Sequence, residues 1–241
     1  MKGLILALQF LTRLPLPQVQ ADKQDFARAM RWFPVAGLAV GAAVAGPWWL
    51  LQGRDPWLGA LAGLTGWTAI TGALHLDGLG DVADGAGAAH GGRERLSAVM
   101  ADPHVGSFAV VVIVVQLMAK LVLLHALPAT QVAALIAVPV LARIAPIAWT
   151  LYLPPLHEGL GTAFRSGVGR LHLLFWSLAA IAAAVLLGPA LLILFAAVPL
   201  WGWWLRARLG GISGDGHGAG IELLETAMLA ALVLIPVTLT P

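Results

Sequence analysis

Three aspartates fall within eight residues of an otherwise oily chain: Asp77, Asp81 and Asp84, in the run His75-Leu-Asp-Gly-Leu-Gly-Asp-Val-Ala-Asp-Gly85. The whole chain has only 12 Asp plus Glu. Their spacing is i, i+4 and i+7, which on an α-helix falls within an arc of about 60°. Ionised carboxylates one turn apart repel and raise one another's pKa. A hard divalent cation such as Mg²⁺ relieves that repulsion, because it takes oxygen ligands. Carboxylates holding such a cation suit phosphoryl transfer, where the metal bridges phosphate oxygens and a further carboxylate accepts the proton of an attacking hydroxyl. Asp77, Asp81 and Asp84 are therefore the candidate metal ligands, with Asp84 first and Asp81 second as candidate base. A solvated acidic loop and a cation pathway are the competing readings of the same residues.

Other segments can supply the rest of such a site. Asp102 is a candidate fourth metal ligand, or a cap for the helix that starts near Val105. Arg93 and Arg95 are candidate phosphate contacts, or only markers of one membrane face. His104 is a candidate phosphate contact beside them. A glycine-rich turn is expected over Gly210–Glu222, with backbone amides able to cradle a phosphate. Ser213, Asp215 and Glu222 in that segment are candidate substrate contacts. Glu222 and Glu225 enter an apolar run, where they are costly unless paired. Lys120 and Arg143 also lie inside apolar runs and must pair with acids or snorkel.

The elements that position these residues are membrane helices. The chain is 241 residues, 59% hydrophobic and 11% charged, against about 25% charged for a soluble domain. There is no cysteine, which excludes disulfides and thiolate metal sites. The net charge of +2 and scattered basic residues exclude a nucleic-acid footprint. The start, Met1 to Arg13, is expected to be a short interfacial helix rather than a cleaved signal. Seven apolar stretches follow, at about 33–51, 57–76, 106–127, 130–151, 171–188, 189–205 and 221–240, each near the length that spans about 30 Å. The stretch 171–205 reads as two spans or as one long kinked helix around Gly188-Pro189. The fold expected is an all-α polytopic bundle forming one catalytic domain over residues 1–241.

Seven spans sort the basic residues. Lys2, Arg13, Lys23, Arg28, Arg31, Arg93, Arg95, Arg165, Arg170, Arg206 and Arg208 fall on one side, and only Arg54 on the other. Cationic residues concentrate on the cytoplasmic side, so the N-terminus is expected there and the C-terminus outside. Fusing the fifth and sixth spans would put Arg206 and Arg208 on the wrong side. The same topology carries Asp77, Asp81, Asp84, Asp102 and Asp215 to the cytoplasmic face.

The segments that hold these residues resemble the cobalamin synthase family, the adenosylcobinamide-GDP ribazoletransferases. The resemblance covers Phe10-Leu-Thr-Arg-Leu-Pro15, Arg31-Trp-Phe-Pro-Val-Ala-Gly37, Thr71 to Gly85, Met100-Ala-Asp-Pro-His-Val-Gly106 and Gly210-Gly-Ile-Ser-Gly-Asp215. It implies a bacterial inner-membrane enzyme using Mg²⁺ that joins adenosylcobinamide-GDP to α-ribazole or its 5′-phosphate and releases GMP. It also implies that Asp77, Asp81 and Asp84 are the metal and catalytic acids. His104 stands where the family often has Arg, and Gly216-His217 departs from the family's pattern after Asp215. The lipid bilayer is the other expected partner, and the sequence leaves a homo-oligomer open. A lipid-making CDP-alcohol phosphotransferase is the enzyme alternative; its longer signature is missing after Asp84-Gly-Ala-Gly87. A cation-coupled transporter is the non-enzyme alternative, and would be expected to place its acids near mid-membrane.

Overall fold

The computed structural model describes residues 2–88, 99, 104–156 and 160–235. Among them the regular elements are all helical: α1 (Lys2–Leu11), α2 (Lys23–Ala29), α3 (Phe33–Gln52), α4 (Pro56–Thr71), α5 (Leu74–Ala88), α6 (Ser107–Ala126), α7 (Val132–Ala142), α8 (Ala145–Tyr152), α9 (Leu160–Arg165), α10 (Arg170–Leu187), α11 (Ile193–Arg208) and α12 (Gly214–Leu234). Six helical stretches are long and apolar enough to cross a membrane: Lys23–Gln52, Ser107–Ala126, Ala129–Tyr152, Arg170–Leu187, Pro189–Arg208 and Gly214–Leu234. The expected second span corresponds to α4, which is shorter than these six and packs antiparallel along α3. Gly59 faces Gln52, Gly63 faces Trp48 and Gly66 faces Ala43. At 16 residues it covers about 24 Å.

The expected span 57–76 is not continuous. It ends at Thr71 because Gly72 is left-handed, with φ 60°, and Ala73 follows at φ 58°. The Ala73 amide returns to the Thr68 carbonyl at 3.1 Å, the six-to-one bond of a Schellman turn. The Arg13 amide, just past α1, donates to the Ile70 carbonyl at 2.7 Å, satisfying a helix-end acceptor. The aspartates therefore sit on a helix of their own, α5, rather than on the end of a long span. The fourth expected span is also broken, into α7 and α8. Pro146 has no amide for the Ala142 carbonyl, and proline suits the first turn of the new helix. The stretch 171–205 resolves into two helices, separated by Gly188 at φ 133° and ψ 140°, a backbone open to glycine, and by Pro189.

The two ends of the bundle are distinct. At one end, Phe10 of α1 and Phe26 of α2 meet Phe164 of α9 at ring-centroid distances of 5.9 and 5.0 Å. There too the Ile212 amide donates to Pro154 and the Leu156 amide to Ile212, at 2.9 and 3.0 Å, tying two loops together. At the opposite end, Trp57 stacks on His125 at 3.9 Å, and the Gln131 side chain donates to the Leu232 carbonyl at 3.3 Å. Arg54 belongs to this second end. The other basic loop residues that the structure describes belong to the first, as the expected sidedness requires. Large apolar side chains of α6 and α10 stay exposed, among them Val111, Val115, Met118, Leu174, Phe175 and Val185. Such surfaces suit lipid rather than water.

Candidate active site at the α5–α12 junction

Local backbone rules build the junction. Ser213 caps α12, its Oγ accepting from the Gly216 amide at 3.0 Å. Asp215 stands in the first turn, where the helix dipole favours a negative charge. The expected glycine-rich turn is thus mostly helix: Gly214 to Gly220 form the first turns of α12. Its glycines serve close packing more than a loop. A Cβ on Gly78 of α5 would lie 2.9 Å from the Asp215 Cα. That closeness puts Asp215 beside the Asp77–Asp81 face of α5. On the other side, a Cβ on Gly80 would lie 3.1 Å from the Ala109 side chain of α6.

The three stripe aspartates have separate environments. Asp77 is exposed. Asp84 is bound to backbone: its two carboxylate oxygens accept from the Gly106 amide at 2.7 Å and the Ala109 amide at 3.0 Å. It caps α6 from a neighbouring helix, the task first considered for Asp102. Asp81 lies between them, partly buried. Burial, and then the charges of Asp215, Asp77 and Asp84, push its pKa up to about 6. Both causes disfavour the ionised form.

A cavity of about 190 Å³ opens beside this cluster. Its walls come from six helices and the Met30–Trp32 turn. They are mostly apolar and include Phe10, Phe33 and Phe164, with Asp77 and Asp215 also in the lining. His75 and His217 line it too, and both are buried, at 3% and 8% exposure. Phe10, Phe33, His75 and His217 lay inside motif segments of the sequence, yet neither spacing nor charge marked them as pocket residues. Phe164 carried no sequence signal at all.

Glu222 takes a different place from the one expected. It is buried against Lys120, with Nζ–Oε2 at 2.7 Å, and accepts from Gln116 at 3.0 Å. It does not line the cavity. Glu225 pairs with Lys120 at 2.7 Å and with Arg143 at 2.9 Å. Lys120 and Arg143 thus pair with acids, the first of their two options. His104 is exposed. Arg93, Arg95 and Asp102 lie outside the described residues.

The family model described as Cobalamin-5-phosphate synthase matches residues 3–233. The chain belongs to the cobalamin-5-phosphate synthase family. Adenosylcobinamide-GDP ribazoletransferase from Novosphingobium aromaticivorans is 57% identical over 239 residues, 97% of each chain. The protein of the same name from Thiobacillus denitrificans is 52% identical over 238 residues, 95% of this chain and 94% of its own. That from Laribacter hongkongensis is 50% identical over 239 residues, 97% of each. No solved structure matches the chain. As a cobalamin-5-phosphate synthase family member the chain is a transferase of cobalamin biosynthesis, and the α5–α12 junction is its candidate active site.

Proposed function

We propose that this cobalamin-5-phosphate synthase family member joins adenosylcobinamide-GDP to α-ribazole or its 5′-phosphate, releasing GMP, at the carboxylate cluster of α5 and α12. The observation that carries this reading is Asp81. It is a partly buried carboxylate with a pKa near 6, placed among like charges beside an apolar cavity. A base with that pKa is still ionised at neutral pH and holds a proton better than an ordinary carboxylate. Asp81 takes the proton of a ribose hydroxyl as its oxygen attacks the phosphorus joined to cobinamide. The new P–O bond forms, the bond to GMP breaks, and GMP leaves. Asp84 is the weaker candidate, since two backbone N–H groups already hold its oxygens.

The donor set fits Mg²⁺. Among the described residues no group of three His, Asp or Glu forms a ready cage, but Mg²⁺ is usually held by one or two carboxylates, water and substrate phosphates. Asp77 and Asp215 would hold it, and Asp102 is a further candidate; Asp81, named above as the base, would be left to take the proton. Bound there, the ion neutralises charge on the phosphate oxygens. The α12 N-terminus beside Asp215 faces the same anions. The clustering of basic residues at this end supports a cytoplasmic orientation in a bacterial inner membrane.

The test is GMP release by the reconstituted protein given adenosylcobinamide-GDP, α-ribazole and Mg²⁺. The expected outcome is release that needs all three. Release without either substrate, or none from well-folded protein, would overturn the reading.

A further inference from the structure

The cavity beside the carboxylates has a chemistry that the transfer step does not use. Its size is one constraint. An apolar cavity of about 150 Å³ accepts a benzene ring, and drug-sized ligands need about 300 Å³ or more. At about 190 Å³ this one suits a small fused ring and is far too small for a corrin macrocycle.

Its walls are a second constraint. Phe10 and Phe33 stack at 5.8 Å with an interplanar angle of 17°. Phe164 stands edge-on to Phe33 at 5.5 Å and 74°. Flat apolar rings in this arrangement favour an aromatic guest, because offset and edge-to-face contacts add to simple burial.

Its polar atoms are a third. The Nδ1 atoms of His75 and His217 are buried and have no hydrogen-bond partner among the described residues. Such atoms cost free energy unless a partner arrives. His217 is already held at its other nitrogen, with Nε2 3.3 Å from the Thr150 hydroxyl, so its ring is oriented and one nitrogen stays available. Imidazole nitrogens can pair with the single ring nitrogen that an N-linked benzimidazole leaves free.

We infer that this cavity seats the aromatic base of the nucleoside acceptor, packing it against the Phe33 and Phe164 rings with a buried histidine on its free ring nitrogen. The inference rests on the function proposed above. The sugar then emerges past Asp77 and Asp215, where its hydroxyl meets the carboxylate cluster. The corrinoid nucleotide stays outside the cavity and approaches from the membrane-surface side. A larger groove of about 350 Å³ between α11 and α12 is a poorer seat. Its lining is all Trp, Leu and Ala, with no acid or histidine to orient a nucleoside.

The test uses the full chain in lipid nanodiscs as wild type, Phe164→Leu and Leu74→Trp. Leu74 lines the cavity and is 37% exposed, so the larger ring can enter the cavity without displacing core. Both variants are expected to raise KM for α-ribazole at least tenfold, with KM for adenosylcobinamide-GDP within twofold of wild type. Free 5,6-dimethylbenzimidazole is expected to inhibit competitively against α-ribazole and not against adenosylcobinamide-GDP. A rise confined to the corrinoid KM, an unchanged α-ribazole KM in either folded variant, or competition of the free base with the corrinoid would each overturn the inference. A wild type that releases no GMP would instead overturn the proposed function, and direct binding of α-ribazole to the three proteins would still test the cavity.

Discussion

Asp81 and Asp84 are three residues apart, yet their environments differ. The Asp81 pKa near 6 exceeds the usual value near 3.9. Between those values the folded chain binds more protons than the unfolded chain, so stability falls as pH rises through that window. Above pH 6 the destabilisation is complete. Asp81→Asn is therefore expected to abolish turnover and also to raise the melting temperature of metal-free protein at pH 8, with the gain gone by about pH 4. Asp84 instead supports structure by holding two amides at the start of α6. Losing such a cap costs about 0.5–2 kcal/mol, so Asp84→Ala is expected to lower the melting temperature at neutral pH, with or without Mg²⁺. Thermal unfolding across pH, with and without the ion, checks both. If Asp81→Asn lowered stability at pH 8, the repulsion argument would fail. The sequence ranked Asp84 first as base from its place at the end of the stripe. Spacing along one helix carries no information about which carboxylate a neighbouring helix start will claim.

At the scale of elements, α12 is held in register by a buried cluster of two cations and two acids. Lys120 of α6 meets Glu222 and Glu225, and Arg143, just past α7, meets Glu225. Lys120 also lies 4.0 Å from the Trp67 ring of α4. The formal charges cancel, so the cluster is neutral as a whole. Burial of an ion pair is itself close to neutral in energy, but removing one partner strands a charge at about 3–5 kcal/mol. Lys120→Met is expected to cost that amount, or about 10 °C in a chain of this size. Lys120→Met with Glu222→Gln leaves the Arg143–Glu225 pair intact and is expected to recover most of the loss. Melting curves in one lipid or detergent decide it, and a Lys120→Met protein as stable as wild type would show that the cluster does not hold α12. That these four residues must find partners was legible from their cost in an apolar run. The Gly72–Ala73 break was not, because glycine is common inside membrane helices and no charge or proline marks Thr71-Gly-Ala-Leu74.

For the whole molecule, sidedness was the most legible property, since each basic residue reports its own preference for one face and the preferences add. The cavity was the least legible. Phe10, Phe33 and Phe164 are far apart in sequence and meet only when α1, α3 and α9 pack, which no local pattern encodes. The bundle's ends now give that sidedness a direct test. The natural chain has no cysteine, so a single introduced thiol is the only site that a maleimide can label. Arg54 and Ala207 are both exposed and lie at opposite ends of the bundle, separated by an odd number of passes counting α4. In intact cells Arg54→Cys is expected to react with a membrane-impermeant maleimide, while Ala207→Cys is expected to react only after the membrane is opened. The reverse pattern would invert the orientation and move the carboxylate cluster to the outer face, away from cytoplasmic nucleotides. Labelling of both from outside would remove α4 from the count and leave six passes.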